Sequence, residues 1–324
     1  MKFMKKLLLF PIFLLLLGCG GDKAPPTDPS LTRVRLALNW FPEAEHGGFY
    51  AALEHGYYRQ NGLEVEILGG GPDAPVIQRV ATDAVEFGVS NADDVLNARA
   101  QQAPVVALMA PYQINPRCIM VHAGSGIERI GDIADITLAL SQRPAFSHYL
   151  RKKFPFTGVT IVPYPGNVTQ FLMDPHFAQQ GYLFSEPFVA RNKGGDPRSL
   201  LVADVGFNPY ASLLIATEEA VAQRETVISA MVRATVAGWE QYLRDPQATY
   251  RRIHRLNPEM SLDILAYGAE ESRPLILDPI ARQQGLGQMS LERWSGLLEQ
   301  MIEAELIAPG AVEPGRAFTT RFLP

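Results

Sequence analysis

The sequence predicts an α/β fold of two lobes, followed by a helical C-terminal part. Predicted strands and helices alternate from residue 33 to residue 110, and the alternation begins again near residue 118. Such alternation is typical of a mostly parallel sheet with helices on both faces. From residue 224 onward the spacing is helical only, and Asp245-Pro246, Asn257-Pro258 and Arg273-Pro274 separate the predicted helices.

The first unit begins with a strand over residues 34–38, because Val34, Leu36 and Leu38 recur at every second position. Pro72 is expected to begin a helix, since proline is favoured at the first helical position. Further strands are predicted at residues 63–68, 86–89 and 105–110, and helices at residues 47–58, 72–82 and 92–101.

The second unit and the C-terminal helices follow from the same two spacings. Strands are predicted at residues 119–122, 136–140, 159–164, 182–184, 200–204 and 213–216, and helices at residues 144–154 and 168–173. The later helices are predicted at residues 224–244, 246–256, 261–272 and 291–306.

Two short segments are predicted to carry the chain between the lobes. They are residues 112–117, which contain Asn115-Pro116, and residues 207–210, which contain Asn208-Pro209. Each follows one apolar strand and precedes another, so the first lobe is left and later re-entered. The prediction assigns residues 33–114 and 211–324 to lobe 1 and residues 115–210 to lobe 2. Two surface turns within one sheet would give the same pattern.

The N-terminus reads as an export signal. Residues 1–6 are basic, and residues 7–17 form an apolar run that is too short for a membrane-spanning helix, which needs about 20 residues. The run ends in Leu16-Leu17-Gly18-Cys19, which resembles the bacterial lipobox. The resemblance implies a signal peptide over residues 1–18, cleavage before Cys19 and lipidation of that cysteine, with residues 19–32 as a tether. A plain signal peptide with an incidental Cys19 is the alternative.

Composition excludes several kinds of function. With 29 Lys and Arg against 34 Asp and Glu, the net charge of −5 argues against a nucleic-acid partner. Two cysteines cannot form a cysteine-based zinc or iron–sulfur site, and the six histidines are scattered without a His-Glu-x-x-His motif. Neither a metal nor another cofactor is therefore expected, and no Gly-x-Ser-x-Gly motif supports nucleophilic catalysis.

One block of sequence carries a resemblance to a known family. The sequence Leu38-Asn39-Trp40-Phe41-Pro42, followed by residues 46–52 and 56–65, resembles the extracytoplasmic solute-binding proteins of ABC importers. The branch is the one related to thiamine-pyrimidine synthases and sulfonate-binding proteins, and further markers lie at residues 87–93 and 186–188. The resemblance covers roughly residues 33–240. It implies a type II periplasmic-binding fold, in which two lobes joined by two crossing strands clamp the ligand.

The candidate ligand-binding residues lie where strands end and helices begin, which is where open α/β sheets bind ligands. Asn39 offers a donor and an acceptor, and Trp40 offers a flat face for stacking. Glu186 suits the N–H donors of an amino-heterocycle, and in the resembling proteins a carboxylate at this position faces the cleft. The full set is Asn39, Trp40, His46, Gly71, Ser90, Asn91, Asp93, Tyr112, Arg143, Tyr164, Asn167, Glu186 and Tyr210.

Several of these residues have purely structural alternatives. Trp40 could be a core residue, Ser90 and Asn91 could be helix caps, Arg143 could be solvated, and Glu186 could serve only the N-terminus of a helix. Arg143 lies at a helix start that the sulfonate-binding relatives use to hold an anion. His46 corresponds to a region in which the related synthases have a histidine near the pocket. Gly71 lies in a turn before a predicted helix, without the Gly-Lys-Ser/Thr of a P-loop.

The sequence thus favours an exported, membrane-anchored lipoprotein that binds a small molecule and delivers it to an ABC permease. The protein is expected to act as a monomer. It is expected to attach to the membrane through the lipidated Cys19. A planar N-heterocycle, first of all a thiamine-pyrimidine precursor, is the expected ligand; a sulfonate, a flavin or another aromatic amine are alternatives. A synthase-like enzyme would need a Lys-bound pyridoxal cofactor and a cysteine cluster, and that cluster is absent. A sensor or scaffold is a third possibility, although no signalling domain is attached.

Overall fold

The structure is a computed structural model that describes residues 28–72 and 74–324. The predicted signal peptide, Cys19 and most of the predicted tether lie outside the described residues. Among residues 28–72 and 74–324, no helix is long and apolar enough to cross a membrane.

Two five-stranded sheets organise the described part of the chain. In chain order, the strands are β1 Thr32–Ala37, β2 Leu63–Leu68, β3 Phe87–Ser90, β4 Val105–Met109, β5 Arg117–His122, β6 Thr137–Ala139, β7 Thr160–Val162, β8 Phe177–Tyr182, β9 Pro197–Leu201 and β10 Leu213–Thr217. The strand order is β2-β1-β3-β10-β4 in the sheet of lobe 1 and β7-β6-β8-β5-β9 in the sheet of lobe 2.

Each sheet has one strand that runs against its neighbours. Strand β10 pairs antiparallel with β3 and β4, and β5 pairs antiparallel with β8 and β9, whereas the other pairings are parallel. These two strands are the ones that the chain forms on arriving from the other sheet. The predicted lobe boundaries lie inside the two connections, β4 to β5 and β9 to β10.

Thirteen α-helices surround the sheets within the described residues. They are α1 Gly47–Glu54, α2 Tyr57–Gln60, α3 Val76–Ala81, α4 Ala92–Ala100, α5 Ala145–Lys153, α6 Thr169–Met173, α7 Glu186–Asn192, α8 Glu218–Gln223, α9 Glu225–Arg244, α10 Gln247–Leu256, α11 Leu262–Ile276, α12 Pro279–Gln284 and α13 Leu291–Glu303. A short 3-10 helix, Ala44–His46, precedes α1.

The two glycines at the start of α1 allow this helix to lie directly on α9. A Cβ at Gly48 would lie 2.1 Å from the ring of Trp239, and one at Gly47 would lie 2.2 Å from the ring of Tyr242. Both aromatic side chains are fully buried. This packing fixes the start of α1, and with it the position of His46.

Several predicted elements are wrong in extent. The strand predicted at residues 182–184 is instead β8, which the polar Gln179 and Gln180 concealed although both side chains are buried. The predicted helix at residues 47–58 is two helices, because Gly56 between them has a left-handed backbone with φ of 73°. Helix α11 continues past Pro274, which was expected to end it.

The two connections between the sheets are bonded to each other and to α13. The backbone N–H of Asn115 donates to Oδ1 of Asn208 at 2.8 Å. The guanidinium of Arg293 donates to the carbonyl oxygen of Gln113 and, at 2.9 Å, to that of Asn208. It also lies 3.8 Å from the ring centroid of Tyr210. One arginine therefore ties both connections to the C-terminal helices.

Candidate functional site

A set of buried carboxyl groups lies on lobe 1 in the segment between β1 and α1. Glu43 is 5% exposed and Glu45 is 3% exposed. Burial raises the pKa of Glu43 well above its ordinary value, and the carboxyl groups of Glu45 and Glu186 raise it further. The protonated form of Glu43 is therefore favoured, and in that form the carboxyl group can donate a hydrogen bond as well as accept one.

The amide of Asn39 is held by two neighbours. Its Nδ2 donates to Oε1 of Glu45 at 3.3 Å, and Ser212 Oγ donates to the same oxygen at 2.8 Å. Oδ1 of Asn39 therefore faces Nε2 of His46 at 3.0 Å. Because an amide oxygen only accepts, Nε2 of His46 carries the proton.

Through Nε2, His46 thus orients Asn39. Its side chain is fully buried, and burial lowers its pKa, so the ring is neutral at pH 7. That the imidazole of His46 also contacts a ligand stays a prediction.

On lobe 2, Glu186 is the first residue of α7 and is half-buried. Tyr164 donates its hydroxyl proton to Oε1 of Glu186 at 2.6 Å, and the backbone N–H of Tyr182 donates to Oε2 at 2.8 Å. Burial and the adjacent carboxylate raise the pKa of Tyr164, so its hydroxyl remains a donor. Each carboxylate oxygen keeps a further lone pair for a ligand N–H group.

Arg117 lies between the two lobes, at the first position of β5. Its guanidinium carbon is 4.4 Å from the ring centroid of Phe146 and 4.6 Å from that of Tyr182. Its Nη2 donates to the hydroxyl of Tyr182 at 2.9 Å. Arg117 is not among the site residues predicted from the sequence, although an arginine at the start of an otherwise apolar strand beside Asn115-Pro116 is a visible signal.

A cavity of about 200 Å³ opens beside Arg117. It is lined by residues of both lobes and of the two connections: Asn91, Asp93, Asp94, Asn115, Arg117, Arg143, Pro144, Phe146, Tyr182, Val202, Phe207 and Pro209. Burial raises the pKa of Asp93 to about 7, and the neighbouring Asp94 adds to the effect. Three predicted site residues, Asn91, Asp93 and Arg143, therefore meet in this cavity.

Trp40 and Phe41 form an exposed aromatic pair after β1. They are 38% and 48% exposed, and their ring centroids are 5.6 Å apart in an edge-to-face arrangement. A Cβ at Gly71 would lie 3.2 Å from the Phe41 ring, so this glycine packs against the pair. Exposed aromatic faces at the end of a strand are available for stacking.

Four predicted site residues have other structural roles. Tyr112 is fully buried, and its hydroxyl lies 2.9 Å from Ser272 Oγ. The hydroxyl of Tyr210 accepts from the backbone N–H of Ser290 beneath Arg293. Ser90 is buried within β3, and Oδ1 of the exposed Asn167 accepts from the backbone N–H of Thr169. Burial accounts for Ser90, and hydrogen bonds within the chain hold the polar side chains of Tyr112, Tyr210 and Asn167. A ligand contact of these four residues stays a prediction.

The structure also bears on helix capping by Asn91, on metal binding and on the state of Cys118. Asn91 precedes α4 without capping it, since its Oδ1 accepts from the N–H of Ser212 and its Nδ2 donates to Asp94. Among residues 28–72 and 74–324, no group of three or more His, Cys, Asp or Glu side chains could hold a metal ion. Cys118 is a buried free thiol whose pKa is raised by burial.

Comparison with known proteins gives one family and several relatives. A family model described as NMT1/THI5 like matches residues 43–249. The chain is 28% identical to the riboflavin-binding protein RibY of Chloroflexus aurantiacus, over 93% of this chain and 89% of the relative. It is 26% identical to a formylaminopyrimidine-binding protein of Halalkalibacterium halodurans, over 92% of this chain and 93% of the relative.

More distant matches include an enzyme and solved structures. A 4-amino-5-hydroxymethyl-2-methylpyrimidine phosphate synthase of Legionella pneumophila is 21% identical, over 71% of this chain and 75% of the relative. The periplasmic aliphatic sulphonate binding protein SsuA of Escherichia coli has a TM-score of 0.68 at 12% identity, over 90% of this chain and 92% of that chain. This likeness confirms the predicted two-lobed periplasmic-binding fold.

Proposed function

The chain belongs to the NMT1/THI5-like family, and we propose that it is the substrate-binding protein of an ABC importer. In this proposal a lipid anchor at Cys19 holds the mature protein outside the cytoplasm, where it passes its ligand to the permease. The ligand is a small planar N-heterocycle held between the two lobes. Support comes from the relatives that are named as binding proteins and from the shape of the site.

The observation that carries the ligand class is a carboxyl set formed by the buried Glu43 and Glu45 of lobe 1 and the half-buried Glu186 of lobe 2. In this proposal Glu186 faces Glu43 across the cleft, and the charge of its carboxyl group contributes to the raised pKa of Glu43. An aminopyrimidine edge presents an N–H donor beside a ring-nitrogen acceptor. The Glu186 carboxylate suits the N–H donor, and the neutral acid of Glu43 suits the ring nitrogen. Trp40 offers the stacking face.

The same carboxyl set argues against a sulfonate. A sulfonate carries a fixed negative charge, and like charges at close range repel. Arg117 and Arg143 lie beside Asp93 and Asp94, so this region offers no purely cationic cradle. Among the alternatives, a flavin keeps a specific observation in its favour, which is the relative named as riboflavin-binding.

An enzymatic role is the weaker reading of the site. A synthase of the wider family would need a lysine for a pyridoxal cofactor, and the lysines after Cys19 are Lys23, Lys152, Lys153 and Lys193. Lys152 and Lys153 lie at the end of α5 and donate hydrogen bonds to Glu303 of α13 and to Val205 of the β9–β10 connection, respectively. We therefore propose binding without chemical conversion of the ligand.

The test is calorimetric titration of the purified protein with a panel of four compounds. The panel contains 4-amino-5-hydroxymethyl-2-methylpyrimidine, its formylamino analogue, riboflavin and an aliphatic sulfonate. We expect saturable 1:1 binding of a heterocycle and none of the sulfonate, with the ligand recovered unchanged. Binding of the sulfonate alone would overturn the proposed ligand class, and conversion of a heterocycle would overturn the non-enzymatic assignment.

A further inference from the structure

Beside the carboxyl set described above, the cleft contains a second polar region with a different character. Arg117 and Asp93 both line the cavity of about 200 Å³, and one comes from lobe 2 while the other comes from lobe 1. No ion pair joins them or involves either side chain among the described residues. Opposite charges therefore face one cavity without neutralising each other by direct contact.

The guanidinium of Arg117 has donors to spare. Of its five N–H groups, the hydrogen bond to Tyr182 uses one on Nη2, and the flanking rings of Phe146 and Tyr182 hold the plane in place. The remaining donors have no hydrogen-bond partner among the described residues, and the side chain opens to the cavity. Such a fixed, unused donor set is suited to a ligand.

A ligand group that fits this region must both donate and accept. An anion would be repelled by Asp93 and Asp94, and a cation would be repelled by Arg117 and Arg143. A hydroxyl group satisfies both sides, since its proton is donated to a carboxylate while its oxygen accepts from the guanidinium. The cavity also has room for a ligand group larger than a single water molecule. Its volume of about 200 Å³ is several times the roughly 30 Å³ that one water molecule takes up.

The polar region is continuous with the site proposed for the ring. Tyr182 joins the two, because its backbone N–H binds Glu186 and its hydroxyl accepts from Arg117. Resting on the proposed function, we propose that Arg117 and Asp93 form a subsite that binds a hydroxyl-bearing chain attached to the heterocycle. In this arrangement Glu43 and Glu186 bind the polar edge of the ring, and the subsite binds the hydroxyl-bearing substituent. The substrate class is then a hydroxylated N-heterocycle rather than a bare ring.

The test compares two pairs of compounds by calorimetric titration. Each pair shares a ring and differs in its hydroxyl-bearing substituent: riboflavin against lumiflavin, and 4-amino-5-hydroxymethyl-2-methylpyrimidine against 4-amino-2,5-dimethylpyrimidine. Hydrogen bonds to charged groups are worth enough that the hydroxylated member of the binding pair should bind at least about tenfold more tightly. Equal affinities within that pair would overturn the inference and leave the proposed function standing.

Two variants test whether Asp93 and Arg117 cause the preference for the hydroxylated compound. Asp93→Asn and Arg117→Lys should each bring the ratio of affinities within the binding pair towards one. Arg33→Lys is the control, because Arg33 is an exposed arginine of β1 that pairs with Glu64, and it should keep the parent ratio. A parent-like ratio in both test variants would overturn the assignment to Arg117 and Asp93. Failure of both pairs to bind the parent would instead overturn the proposed function, and this inference with it.

Discussion

We expect the buried carboxyl group of Asp93, which the proposed subsite uses, to lower the stability of the folded chain as the pH rises. The side chain is 9% exposed at the start of α4, and its pKa is raised from 3.8 to about 7. In the folded state it therefore holds its proton more tightly than in the unfolded state. The contribution of Asp93 to stability is therefore highest below pH 3.8 and is lost as the pH rises towards 7, where the folded carboxyl ionises.

Asp93→Asn removes this loss, because the amide resembles the protonated carboxyl and cannot ionise. The two pKa values differ by about three, and each pKa unit corresponds to about 1.36 kcal/mol. The variant should therefore be more stable than the parent by about 4 kcal/mol at pH 8 and by almost nothing near pH 3.5. The charge of Arg117 lowers the pKa of Asp93, and the value of about 7 already includes this opposing effect.

Urea unfolding of the ligand-free protein at pH 3.5, 5, 6 and 8 measures the difference. Asp132→Asn is the matched control, since the hydrogen bond and charge of Arg129 lower the pKa of Asp132. That variant should lose a little stability above pH 4 instead of gaining it. A stability difference between parent and Asp93→Asn that does not grow with pH would refute the reasoning.

Three further outcomes follow from other parts of the chain. Cys19→Ala should release or misprocess the protein, and fractionation with membranes like the parent would contradict the lipobox assignment. Arg293→Met should lower the free energy of unfolding by about 2 kcal/mol or more, because the hydrogen bonds to Gln113 and Asn208 are charge-assisted; unchanged urea unfolding would contradict the role given to Arg293. Trp40→Ala should weaken ligand binding roughly 5- to 150-fold through lost stacking, and parent-like affinity would place Trp40 outside the site.

The position of a strand was predictable where the strand has one apolar face and one polar face, because its residues then alternate along the sequence. The strand predicted at residues 63–68 is β2 as observed, since its apolar residues alternate with Glu64 and Glu66. The position of β8 was not predictable, because the burial of Gln179 and Gln180 depends on partners far along the chain. Nε2 of Gln180 donates to Ser141 Oγ at 2.9 Å, a contact that no local pattern reveals.

Candidate site residues could be predicted from the sequence where they follow a strand. The surroundings of fully buried candidates could not. Glu186 and Asn39 follow strand-end patterns that the sequence shows, and both bond within polar networks. The contacts of His46 and Tyr112 required the packed structure. Both side chains are fully buried, and burial is a property of the whole fold. The position of Arg117 between Phe146 and Tyr182 also depends on the whole fold, although its place at the start of an apolar strand is visible in the sequence.

The central claim is that the Glu186 carboxylate recognises a heterocycle between the lobes, and calorimetric titration of Glu186→Gln tests it most directly. The substitution keeps the size of the side chain but replaces one acceptor oxygen by a donor, and hydrogen bonds to charged groups are worth about 1.5–3 kcal/mol. With the heterocycle that binds the parent, we predict affinity weakened by about 10- to 150-fold. Parent-like affinity in Glu186→Gln would contradict the account and leave Glu186 with only its role at the start of α7.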